Sequence, residues 1–100
     1  MQDIIENKKI TENEALKLLL TLHADWQLSL DGAKIFREFK FKGYYKTIAF
    51  VNVIAYIAQE EQHHPDLEVN FGRVLVTFTT HDIEGLSLND FRSAKRVDNI

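Results

Sequence analysis

The chain has 100 residues, 45% of them hydrophobic, with one proline, four glycines and no cysteine, and its 12 basic and 15 acidic side chains leave a formal charge of -3. That length and composition suit one compact domain spanning the chain. The interleaved charges offer no basic footprint for a phosphate backbone or an anionic lipid surface, so neither nucleic acid nor membrane is an expected partner. The lack of cysteine excludes a disulfide scaffold, a thiolate zinc site and a thiol enzyme.

In chain order, MQDIIENKKI mixes charges with short apolar pairs and has no secretory signal pattern. Thr11-Glu12-Asn13-Glu14 has the form of a capping box, and Ala15, Leu16, Leu18, Leu19, Leu20 and Leu22 follow at helical spacing, predicting a helix that ends near Ala24. Trp26, Leu28 and Leu30 then alternate with polar residues, Asp31-Gly32 supplies a two-residue hairpin turn, and Ile35, Arg37, Phe39 and Phe41 line one side of the returning strand. From about Gly43 to Gln62 the spacing is helical again, with Ile48, Phe50, Val51, Val53, Ile54, Tyr56 and Ile57 around most of the circumference. In so small a domain such a helix is expected to be covered partly by a second copy of the chain, as a homodimer or homotetramer; the alternative is a helix deep in a monomer core. The apolar run Ile48 to Ala58 is too short for a bilayer, which takes about 20 residues, so the protein is expected to be cytoplasmic.

Pro65 ends the second helix and holds His64 extended. Leu67, Val69 and Phe71 alternate along a third strand, Asn70 to Arg73 form a turn around Gly72, and Val74, Val76 and Phe78 alternate on a fourth. Ser87-Leu88-Asn89-Asp90 is a second capping box, with Leu86 and Phe91 as a hydrophobic staple, opening a helix from about Leu88 to Val97. The order α-β-β-α-β-β-α predicts an α+β fold, a four-stranded antiparallel sheet with three helices on one face.

Three histidines fall at element ends: His63 and His64 where the second helix stops, and His81 where the fourth strand stops. Imidazole exchanges protons near neutral pH without special tuning, so three together suit acid-base chemistry, although any one alone is more often a solvated bystander. Three histidines and a water can also hold catalytic zinc. His63 closing a helix and His64 extended before Pro65 should diverge, so no metal is expected. Gln59 and Glu60 lie four residues before His63 and His64 and can share a face with them, or simply point into water. Asp90 could orient His81, but its cap position already accounts for it. Trp26 and Phe71 could offer flat surfaces to an aromatic ligand, or serve as core.

The run Glu61-Gln62-His63-His64-Pro65-Asp66, with Phe71, Thr80-His81-Asp82 and Gly85-Leu86-Ser87 followed by Asp90, resembles the signature of the pterin-4a-carbinolamine dehydratases. With Trp26, Phe36, Phe39, Phe41 and the long apolar helix, the resemblance covers about three quarters of the chain. It implies an enzyme that removes water from 4a-hydroxytetrahydrobiopterin to give the quinonoid dihydropterin in tetrahydrobiopterin recycling, without metal or cofactor. The family's catalytic histidines fall on His63, His64 and His81 and its associated aspartate on Asp90. His64, Trp26 and Phe71 would hold the pterin. Gln59 replaces a frequent acidic residue, which removes a charge that would favour imidazolium, and Phe71 replaces a commoner tyrosine. Because family members also serve as a dimerisation partner of a transcription factor, the alternative is a non-catalytic dimerisation or assembly role, against which the three intact histidines favour the enzyme.

Overall fold

Thr11 caps the first helix, α1 (Glu12–Leu19), as its sequence requires: its hydroxyl accepts the Glu14 N–H at 3.1 Å, and the Glu14 carboxylate accepts the Thr11 N–H at 2.8 Å. The computed structural model describes residues 8–100, so the reading of the amino terminus falls largely on residues outside that range. α1 stops well before Ala24. The N–H groups of Leu20, Thr21 and Leu22 bond three residues back to Lys17, Leu18 and Leu19, tightening the chain into turns although the leucine spacing continues. Beyond them Asp98 accepts the His23 N–H at 2.9 Å and the Trp26 indole N–H at 2.7 Å, drawing the segment across the body of the domain.

The first strand, β1 (Gln27–Leu28), is shorter than expected and leaves Trp26 and Leu30 outside it. The connection to β2 (Ile35–Lys40) occupies residues 29–34 and is not a two-residue turn. Asp31 accepts from the Ser29 hydroxyl and the Ala33 N–H, and Ser29 Oγ accepts the Lys34 N–H, so side chains take over bonds that a tighter ladder would make. Phe41 follows β2, its N–H donated to Gly72 O.

The long helix α2 (Tyr44–Glu61) leads to β3 (Asp66–Asn70) and β4 (Arg73–Phe78), then α3 (Leu88–Asp98). The sheet order is β1-β2-β4-β3 with every neighbouring pair antiparallel, which establishes the expected α+β fold of four strands and three helices. The register pairs Ile35 with Phe78, Arg37 with Val76 and Phe39 with Val74, so these residues share the face that meets the helices. Phe78, Ile35, Val74 and Val76 are fully buried there, each worth about 1.5–3 kcal/mol over the exposed side chain. On the opposite face Arg73 bonds Glu38, Glu68 and Asn70 across the strands.

α2 buries Thr47, Phe50, Ile54, Ile57 and Ala58. Its other side leaves Tyr45, Val53 and Tyr56 exposed, so the chain itself covers one side of a helix whose sequence is apolar nearly all round. α3 begins as read: Ser87 and Asp90 form the capping box, and Leu86 and Phe91 are buried beside it.

Candidate active site

The site begins where α2 fails to continue. Gln62 adopts a left-handed backbone conformation (φ 54°, ψ 39°), unusual for a residue other than glycine, and its N–H bonds Ala58 O. The His63 N–H also reaches Ala58 O, at 3.2 Å, and Pro65 then prevents any return to helix. His63 therefore lies beyond the helix end, and its ring is directed back against the body of the domain. It stacks on Phe78 with ring centroids 6.0 Å apart and planes 10° from parallel.

The same ring meets Asp90, with His63 Nε2 2.5 Å from Asp90 Oδ1. Asp90 is fully buried. Its other oxygen, Oδ2, accepts the Ser87 N–H at 3.0 Å and the Thr80 hydroxyl at 2.8 Å, and the Thr80 hydroxyl lies 2.8 Å from Ser87 Oγ. Burying a carboxylate is costly unless its lone pairs are filled, and here both oxygens are engaged. One side chain thus caps α3 and anchors an imidazole from the end of α2, 27 residues away in sequence.

His81 opens the short 3-10 turn His81–Ile83 that follows β4, and that turn is closed by a bridge between Thr80 and Gly85. His63, His64 and His81 line one hollow of about 370 Å³ together with Gln62, Asp66, Thr79, Thr80 and Asp82. That volume lies in the range of roughly 300–1,000 Å³ typical of small-molecule sites. His64 and His81 are exposed, whereas the His63 side chain keeps only 11% of its surface accessible. His81 Nε2 stands 3.8 Å from Asp66 Oδ2, a contact open to water that contributes little to stability. Among the described residues no three histidine or acidic side chains are grouped so that they could hold a metal ion.

Several expected neighbours lie elsewhere. Asp90 supports His63 and not His81, because the start of α3 packs beneath the end of α2. Glu60 faces away from His64: Tyr56 donates to it at 2.8 Å and Arg96 at 2.7 Å. The Arg96 hydrogen bond first, and the Tyr56 hydroxyl second, hold the Glu60 carboxyl below the usual glutamate range. Gln59 is exposed on the helix and does not line the hollow, since the left-handed turn at Gln62 breaks the four-residue spacing that would have joined it to His63. Trp26 is 3% exposed and belongs to the core, so it has no face to offer a ligand. Phe71 sits in the β3–β4 turn, stacked on Tyr44. It lies five positions along the chain from Asp66 at the hollow's edge, roughly 16 Å of extended strand.

Sequence reasoning passed over Asp66, Thr80 and Phe78 as parts of the site. Two adjacent threonines at the end of an apolar strand, ahead of a histidine, were the available signal: polar residues at strand positions that must be buried need partners.

Comparison with known proteins gives a consistent result. The profile of the pterin 4 alpha carbinolamine dehydratase family matches residues 8–100. A protein of Stenotrophomonas maltophilia, named provisionally as a pterin-4-alpha-carbinolamine dehydratase, is 54% identical over 72 residues, which are 72% of this chain and 62% of that protein. A Nitrosomonas eutropha protein named in the same way is 46% identical over 89 residues, 89% of this chain and 77% of its own length. The matched region thus spans about three fifths of the Stenotrophomonas relative. Among solved structures, a transcriptional coactivator/pterin dehydratase from Brucella melitensis superposes with a TM-score of 0.86 at 30% identity, covering 92% of this chain and 97% of that one. A pterin dehydratase-like protein identified as a RuBisCO assembly factor in the alpha-carboxysome shares the fold, with a TM-score of 0.66 at 24% identity over 77% of this chain and 89% of its own. With the histidine motif, the sheet topology and the profile in agreement over the described residues, the chain belongs to the pterin 4 alpha carbinolamine dehydratase family.

Proposed function

We propose that the protein dehydrates a pterin-4a-carbinolamine, 4a-hydroxytetrahydrobiopterin or a close relative, to the quinonoid dihydropterin, and so serves the recycling of tetrahydrobiopterin in the cytoplasm. The observation that carries this reading is the convergence of His63, His64 and His81 on one hollow, with His63 anchored through Nε2 to the buried Asp90. The reaction breaks the bond from C4a to its hydroxyl and removes the proton on N5, leaving a C4a–N5 double bond and one water.

His63 acts as the base. With Nε2 held by Asp90, Nδ1 is the ring nitrogen left to take the N5 proton, directly or through a water. His81, on the 3-10 turn that also lines the hollow, protonates the departing hydroxyl. His64, exposed at the rim, holds the pterin ring. No covalent intermediate, metal or cofactor enters this scheme, and positioned acid-base catalysis of about 10²- to 10⁴-fold suffices for a substrate that already loses water unaided. The test is the absorbance decay of freshly generated carbinolamine with and without protein. A decay rate that rises in proportion to protein concentration supports the proposal, and equal rates at every concentration refute it.

The working unit is a homodimer or homotetramer joined through α2. The stripe of Tyr45, Val53 and Tyr56 is exposed at 88%, 40% and 61%, and a second copy of the same helix is the partner whose apolar surface matches it.

A further inference from the structure

The hydrogen bonds behind Asp90 run in one direction, and that direction bears on which tautomer His63 adopts. The Ser87 N–H can only donate, and it points at Asp90 Oδ2. The Thr80 hydroxyl donates to the same oxygen. Having spent its proton there, Thr80 Oγ1 can only accept from Ser87 Oγ, 2.8 Å away, so the serine hydroxyl donates to the threonine. Ser87 Oγ in turn accepts the Asn89 N–H at 3.3 Å. Each proton in this chain points toward the carboxylate, whose Oδ2 is thereby filled and whose Oδ1 is left for the imidazole alone.

We infer that Thr80 and Ser87 form a directed hydroxyl relay that positions Asp90 and holds His63 as the Nε2–H tautomer, keeping Nδ1 free as the base. Thr80 and Ser87 are positioning residues acting through Asp90. This inference rests on the dehydratase reading only for its kinetic consequence; the tautomer is a property of the protein without substrate. Thr80 is 5% exposed and Ser87 fully buried, so water cannot easily replace either hydroxyl. In Thr80→Val the isosteric methyl leaves Oδ2 with one donor, and the carboxylate is free to rotate and share the ring nitrogens differently.

The experiment is long-range nitrogen–proton correlation NMR of the nitrogen-labelled full chain, recorded over a pH series so that the His63 ring is read in its neutral form, paired with steady-state dehydration kinetics. The wild type should show His63 with Nε2 pyrrole-like and Nδ1 pyridine-like. Thr80→Val should show averaged nitrogen shifts at His63 and about a tenfold fall in kcat with KM little changed, and Thr80→Ser should restore both. A wild-type His63 protonated on Nδ1, or mixed between tautomers, overturns the inference even if no variant folds. So does a Thr80→Val protein that keeps a single Nε2–H tautomer. The expected NMR pattern in a protein that leaves carbinolamine decay unchanged would instead uphold the relay and reject the dehydratase reading.

Discussion

Replacing Asp90 by asparagine alters the site with the least change in shape, and the structure specifies where the amide must turn. At Oδ2 the carboxylate faces the Ser87 N–H, a fixed donor; at Oδ1 it faces His63, whose ring can accept as well as donate. An amide NH₂ toward Ser87 would set donor against donor in a buried place, costing about 1–3 kcal/mol, so the amide turns its NH₂ toward His63. His63 Nε2 then becomes the acceptor, its proton moves to Nδ1, and the base is lost. The expected fall in kcat is about 10²- to 10⁴-fold, the range that general acid-base catalysis supplies, with KM changed little because His64 still holds the ring. Stability suffers less. The amide oxygen still accepts from Ser87 and Thr80, so the cost is about 1 kcal/mol, and Tm falls by roughly 4–8 °C. Carbinolamine decay at neutral pH, together with circular dichroism to show the retained fold, measures both. An Asp90→Asn protein whose kcat lies within a factor of about two of the wild type would refute the reasoning.

Trp26→Phe keeps the ring in the core but removes the 2.7 Å bond to Asp98, which retains Arg37 and the His23 N–H. It should destabilise the fold by about 1.5 kcal/mol in urea unfolding, with kcat unchanged; a fall in kcat at full stability would restore Trp26 to the site. Glu60, whose carboxyl is held below its usual range by Arg96 and then Tyr56, stabilises the fold above the unfolded glutamate pKa of about 4.3, and that contribution is lost as pH falls through the lower folded value. The stability difference between wild type and Glu60→Gln should therefore be present at about pH 7 and vanish in more acidic urea titrations. Light scattering at tens of micromolar, on the order of a working range for a stable assembly, should give the mass of a dimer or tetramer. Tyr56→Glu, which places charge on the exposed stripe of α2, should shift it toward monomer.

Much of the fold was legible because local chemistry and global packing agree. Both capping boxes hold, and the alternation along β2 and β4 identifies the face that packs on the helices. The departures arise where distant residues take over. The leucine spacing of α1 runs on toward Leu22, but Asp98, far along the chain, captures His23 and Trp26 and ends the helix earlier. Asp31 and Ser29 replace a tight turn with side-chain bonds that a turn dipeptide does not announce.

The site was legible as a set of histidines and not as an arrangement. Element ends marked His63, His64 and His81, which the structure brings to one hollow, yet helical spacing assigned Gln59 and Glu60 to them as neighbours. The left-handed turn at Gln62 cancels that spacing, and no local pattern requires such a turn at a glutamine. Asp90 was visible as a cap residue. Its second role depends on α3 starting beneath the end of α2, a tertiary relation that cap spacing does not contain.

The most direct measurement is the dehydration rate of His63→Ala and His81→Ala, each compared with wild type at equal protein concentration and with the fold verified. Two proton-transfer groups lining one hollow should each be needed, so both variants should lose most of the protein-dependent rate. Full activity in either variant would contradict the account, because the scheme gives the two proton transfers to separate imidazoles.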